Sequence, residues 1–113
     1  MSEYYEPKKL KIKLIDFGGG TFKKDYHTKI VNTRQYRAPE VILRMDNGLL
    51  NMIECKEWDE KSDIWSIACI LMELYSGELL FPTHHNYEHL ALIEKGFGKF
   101  IQFISFINKL MCI

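Results

Sequence analysis

Residues 62–77 constrain this chain more than any other stretch. Ile64, Trp65, Ile67, Ala68, Ile70, Leu71, Leu74 and Tyr75 leave no wide polar face on a helix, so a helix here should be enclosed by protein on nearly every side. Ser62 or Asp63 stands where an N-cap accepts free N–H groups, and Gly77 where a helix end takes left-handed backbone. The apolar run from Ile64 to Tyr75 is interrupted by Ser66 and Glu73 and is shorter than the roughly 20 residues a membrane span needs. It reads as a buried helix. A chain of 113 residues withdraws roughly 65% of its unfolded surface from water, and barely suffices to enclose it.

The rest of the composition fits one folded domain: 47% hydrophobic, 13% aromatic and 27% charged residues. Lys+Arg and Asp+Glu number 15 each, so net charge offers no attraction for nucleic acid or an anionic membrane, and neither is expected as a direct partner. Cys55, Cys69 and Cys112 are odd in number and irregularly spaced, unlike a disulfide framework or a zinc site. The N-terminus lacks the apolar stretch of a signal peptide. A reducing, intracellular setting is expected.

Along the chain, Lys11-Ile12-Lys13-Leu14-Ile15 has the period-2 alternation of a short strand with one solvated face. Asp16-Phe17-Gly18-Gly19-Gly20-Thr21 stops it with three glycines. Residues 21–37 carry Lys23, Lys24, Lys29, Arg34, Arg37 and His27 without helical period, and read as an exposed functional loop. Ala38-Pro39-Glu40-Val41-Ile42-Leu43 suits a short helix, with proline and an acidic residue in its first turn. Asp46-Asn47-Gly48 is a turn signal, and residues 49–53 are a short apolar piece in a polar connection. After Pro82, residues 87–95 are helical in spacing, and Gly96 and Gly98 should break the helix. In the tail, Phe100, Phe103, Ile104, Ile107, Leu110 and Met111 fall on one face of an amphipathic helix.

Asp16-Phe17-Gly18 places a hard oxygen donor suited to Mg²⁺ beside a residue that lets the backbone turn. Alone, the triplet equally suits a turn after a strand with Asp16 as its cap. Its ordered pairing with Ala38-Pro39-Glu40, preceded by Thr33, Arg34, Tyr36 and Arg37, is the frame of a protein-kinase activation segment. Arg34 and Arg37 have the guanidinium forks to grip acidic or phosphorylated groups, or are solvated loop cations. Tyr26, Thr28 and Tyr36 are hydroxyls on the same loop, open to phosphorylation or simply solvated. His84, His85 and His89 lack the cysteine or carboxylate that would complete a metal site, and read as structural.

On these motifs the chain resembles the eukaryotic protein kinases, and more narrowly the LAMMER (dual-specificity, Cdc2-like) kinases. Thr33-Arg34-Gln35-Tyr36-Arg37-Ala38-Pro39-Glu40-Val41-Ile42-Leu43 is similar to that family's peptide-binding loop, and Ser62-Asp63-Ile64-Trp65-Ser66-Ile67-Ala68-Cys69 to the start of its buried central helix. Glu88-His89-Leu90-Ala91-Leu92-Ile93-Glu94-Lys95 keeps five of the eight letters of the E-H-L-A-M-M-E-R signature. The resemblance implies an α+β, protein kinase-like fold: a mainly helical fragment of the C-terminal lobe with a short strand before the D-F-G turn. It implies an N-terminal extension over 1–9, a partial kinase domain over 10–95 with an expanded loop at 44–61, and a divergent amphipathic tail over 96–113.

The same resemblance implies that Asp16, with Phe17 and Gly18, belongs to the site for ATP, and that Asp16 holds Mg²⁺ against the phosphates. Thr33, Arg34, Tyr36 and Arg37 would form the activation and substrate loop. Thr33 would hydrogen-bond near a catalytic aspartate. Asp63 would tie the catalytic loop's backbone, a role compatible with that of an N-cap; Glu40 and Trp65 would be structural. Glu40 pairs with a later arginine in the family, yet no arginine follows Arg44 here. The resemblance further implies ATP-dependent serine/threonine phosphorylation of Ser/Arg-rich splicing factors in the nucleus by complete members. The sequence contains no His-Arg-Asp triplet to supply the catalytic base, no glycine-rich ATP loop and no ATP-lobe strand lysine with its paired helix glutamate. ATP binding and catalysis by this chain alone are not expected. It reads as part of a kinase or, alternatively, as a non-catalytic kinase-derived binding module, and its uncovered apolar faces should favour aggregation.

Overall fold

The computed structural model describes residues 11–45 and 58–99. Three helices organise them: α1 (Pro39–Met45), α2 (Lys61–Ser76) and α3 (Asn86–Phe97), with 3-10 turns at Phe17–Gly19 and Arg34–Tyr36. Residues 11–16 have no regular secondary structure, which corrects the strand expected there. A strand exists only when a neighbour takes up its N–H and C=O groups. Among the described residues nothing pairs with this segment, and Ile12 is 94% exposed. The turn signal at 46–48, the apolar piece at 49–53 and the tail from Phe100 onward lie outside the described residues, as do residues 1–10.

α1 forms where expected and runs two residues further. Pro39 occupies its first turn, where a missing N–H costs nothing, and the Ala38 carbonyl accepts the N–H groups of Val41 and Ile42, both at 3.1 Å. Pro39, Val41, Ile42 and Leu43 are all buried. Ile42 and Leu43 join Cys69 of α2, Phe81 of the following connection, and Leu90 and Ile93 of α3 in one apolar core. Tyr36, Trp65 and Leu92 pack against it. The Trp65 ring lies parallel to Phe81 with centroids 6.0 Å apart, and the Phe97 ring lies tilted to it at 5.8 Å.

α2 starts earlier than the capping signals suggest. Ser62 and Asp63 lie inside its first turn, and the Asp59 carboxylate accepts the Lys61 N–H at 2.9 Å. Ser62 is buried and is used elsewhere: its hydroxyl donates to Glu40 at 3.0 Å. The far end follows expectation, with Gly77 at φ 77° and its N–H on the Glu73 carbonyl at 2.7 Å. The expected enclosure is not found among the described residues. Only the side of α2 bearing Ser62 and Cys69 is buried, and Ile64, Leu71 and Leu74 are 65%, 60% and 77% exposed.

In α3, Gly96 does not break the helix; Gly98, at φ 81°, follows its end. The entry is braced reciprocally. Thr83, itself buried, donates its hydroxyl to Glu88 at 2.8 Å and accepts the His85 N–H at 3.3 Å, while the Glu88 carboxylate also accepts the His84 N–H at 3.1 Å. Those donors, the Thr83 hydroxyl foremost, hold the Glu88 carboxyl below its ordinary pKa.

Candidate functional site

The Asp16-Phe17-Gly18 triplet forms a tight turn. Asp16 itself is left-handed, with φ 61° and ψ 67°, and the Gly20 N–H closes the turn on the Phe17 carbonyl at 3.0 Å. A side chain at Gly20 would bring its Cβ within 3.2 Å of that carbonyl, so the third glycine answers to a close backbone approach. Left-handed backbone at a non-glycine residue is uncommon and marks a constrained position. Asp16 and Phe17 are both exposed.

An open cleft of about 490 Å³ gathers Asp16, Gly20, Asn32, Thr33, Trp58 and Asp63. Three residues singled out from distant stretches of sequence, Asp16, Thr33 and Asp63, thus border one space. Trp58 helps wall it: its indole N–H donates to the Thr28 carbonyl at 2.7 Å, and the His27 ring meets it edge-on at 4.6 Å. Asp16 is chemically suited to a hard cation, as one carboxylate of the one or two that Mg²⁺ takes from protein while phosphates and water complete its octahedron. Among the described residues no group of three His, Cys, Asp or Glu side chains converges on one point. Asp16 therefore offers one such donor and no more.

The loop from Val31 to Glu40 is fastened to α2 and α3 side chain by side chain. Arg37 turns inward and is buried; its Nε donates to the Val31 carbonyl at 3.0 Å and its Nη2 to the Asn32 carbonyl at 2.9 Å. Burial first, and then the charge of Arg34, lowers its pKa below the usual guanidinium value. Arg37 therefore uses its fork on the loop's own backbone. Asn32, left-handed at φ 62°, donates through Nδ2 to the Ser66 hydroxyl at 2.6 Å, and Ser66 donates to the Tyr36 carbonyl at 2.8 Å. Tyr36 donates its phenol to Glu73 at 2.6 Å, and that carboxylate raises the tyrosine's pKa. Glu40 accepts from Ser62, and Trp65 is stacked in the core edge.

Arg34, half-buried, donates through Nη1 to Asn86 Oδ1 at 2.6 Å, and Gln35 Nε2 reaches the Thr83 carbonyl at 3.4 Å. His89 is fully buried beneath this corner, its ring 5.2 Å from Phe81. Burial, with Arg37 and Arg34 nearby, pushes its pKa down to about 4, so it is neutral at pH 7. His84 and His85 are exposed on the connection.

Sequence reasoning missed Asn32, Ser66, Glu73 and Asn86. Each is an ordinary polar residue whose partner lies 34 to 52 positions away. Ser66 and Glu73 did leave one trace, as the two polar interruptions of an apolar helix.

Comparison with known proteins agrees with this arrangement. The family model "Protein kinase domain" matches residues 5–110, and the chain belongs to the protein kinase family. It is 47% identical over 89 residues to the dual specificity protein kinase lkh1 of Schizosaccharomyces pombe, covering 79% of this chain and 11% of that protein. It is 52% identical over 92 residues to the serine/threonine-protein kinase AFC1 of Arabidopsis thaliana, covering 81% and 17%, and 45% identical over 87 residues to the human dual specificity protein kinase CLK1, covering 77% and 16%. A crystal structure of a kinase domain superposes with a TM-score of 0.61 at 57% identity, over 73% of this chain and 21% of that one. The LAMMER resemblance holds. The chain spans less than a quarter of the length of these relatives.

Proposed function

We propose that this chain is part of an ATP-dependent serine/threonine, dual-specificity protein kinase of LAMMER type, contributing the D-F-G turn, the activation and substrate loop, and the central helix. The observation that carries this reading is the single cleft bordered by Asp16, Thr33 and Asp63, with the Thr33–Arg37 stretch pinned to α2 beside it. In the complete enzyme Asp16 holds one coordination position of Mg²⁺, and the ion supplies neutralisation of the phosphate charge as the phosphoryl group moves to a substrate hydroxyl. Thr33 and Asp63 border the space where the catalytic loop is expected. Arg34 and Tyr36 present the loop that receives the protein substrate, and Arg37 and Ser66 hold that loop's backbone. Ser/Arg-rich proteins are the proposed substrates and the nucleus the proposed location.

The 113 residues contain no His-Arg-Asp triplet, so the base that takes the hydroxyl proton must come from elsewhere in the polypeptide, and the chain alone is inactive. The test is phosphate transfer from ATP and Mg²⁺ to a Ser/Arg-rich peptide. A longer polypeptide that carries this segment with the ATP lobe and catalytic loop should be active, and Asp16→Asn in it should lose activity by orders of magnitude. Full activity of the Asp16→Asn protein would overturn the reading.

A further inference from the structure

The structure assigns Asn86 as a positioning residue for the substrate loop, an inference that rests on the kinase reading above. The loop's 3-10 turn, Arg34–Tyr36, is closed by its own backbone through only two short bonds, Tyr36 N–H to the Thr33 carbonyl at 3.0 Å and Arg37 N–H to the Arg34 carbonyl at 3.1 Å. Such a turn is weak alone. Its long side chains both reach across to the entry of α3: Arg34 Nη1 to Asn86 Oδ1 at 2.6 Å, and Gln35 Nε2 to the Thr83 carbonyl at 3.4 Å. The contact of Arg34 is short and charge-assisted, the stronger kind of hydrogen bond.

The receiving side is rigid. Thr83 is buried, bonded to Glu88 and to the His85 N–H. One turn further on, His89 and Leu90 are in the core. Asn86 is the first residue of α3, so its amide is carried on a helix that cannot shift without disturbing that core. With Nη1 tied there, the Arg34 guanidinium has a fixed direction, and its remaining N–H groups are presented in one orientation. A preorganised arginine binds an acidic or phosphorylated group on a peptide better than one that must first be ordered. The signature-bearing helix thereby shapes the loop without touching substrate.

Two readouts test this, one on the tether and one on its use. In the 113-residue chain, Asn86→Ala should speed amide exchange at Tyr36 and Arg37 by about tenfold, the scale of one charge-assisted bond. Asn86→Asp, which keeps the acceptor, should leave exchange near the unmutated rate. Arg34→Met removes the donor from the other side and reads the same amides if Asn86→Ala fails to fold. Unchanged exchange, or equal exchange in the Ala and Asp variants, overturns the tether. In the longer kinase polypeptide, Asn86→Ala should raise the peptide KM several-fold with kcat unchanged, and Asn86→Asp should restore it. Faster exchange with an unchanged KM overturns the positioning role. A longer polypeptide inactive before any substitution fails the kinase reading instead, and the exchange measurement still decides the tether.

Discussion

Arg37 and Arg34 sit three residues apart in one basic loop, yet their surroundings separate them. Arg37 spends its fork on the Val31 and Asn32 carbonyls and is buried, whereas Arg34 is half-buried and meets an amide. Lysine cannot replace the first, since one ammonium lacks the planar fork that bridges two carbonyls at once. Arg37→Ala leaves both carbonyls without that partner, and is expected to cost about 2–4 kcal/mol in urea unfolding, with Arg37→Lys recovering only part. From the sequence both arginines were legible as functional-loop cations. Which one faces inward was not, because that depends on where α1 and α2 place the loop's carbonyls.

At the scale of the element, two glycines near helix ends take opposite roles. Gly77, at φ 77°, closes α2 in a conformation that costs other residues about 1 kcal/mol or more. Gly96 lies within α3, and a Cβ there would meet nothing within 4 Å. Thermal melts should therefore move in opposite directions: Gly77→Ala down and Gly96→Ala up, each by about 1 kcal/mol or a few degrees. The helix-end signal at Gly77 could be read from the chain because it follows a long periodic run. Gly96 could not be judged the same way, since α3 is held at both His89 and Ile93 by the core and continues past a weak helix former.

For the whole molecule, the buried His89 makes acid the natural destabiliser. Its folded pKa of about 4 lies below the ordinary 6.5, so below pH 6.5 the unfolded chain binds a proton that the folded chain refuses. Stability should be independent of this group above pH 6.5 and fall as pH drops toward 4, by on the order of 1–3 kcal/mol. Urea midpoints measured across that window should show the slope, and His89→Leu should flatten the part due to this residue. Retention of the full slope in that variant would place the acid sensitivity on the carboxylates instead. The outer face of α2 is the other molecular-scale feature. Its isoleucines and leucines lie exposed in the described structure, which matches a chain spanning less than a quarter of its relatives' length.

Short-range information accounts for what could be read from the residues alone: the order of the D-F-G and A-P-E triplets, the three helices, the left-handed end at Gly77, and from these the kinase family. Motif order and helical period are properties of neighbouring residues, and survive whatever surrounds them. Other features arose only once the chain was folded. The Lys11–Ile15 alternation makes no strand, since none of the described residues pairs with it, and Ser62 leaves the cap position for Glu40. Tyr36 meets Glu73, Asn32 meets Ser66 and Arg34 meets Asn86. These partners are far apart along the chain, and a hydrogen bond between two common polar side chains leaves no periodicity behind. The packing of the Arg34–Tyr36 turn on α2, and of α1 on α3, chose them.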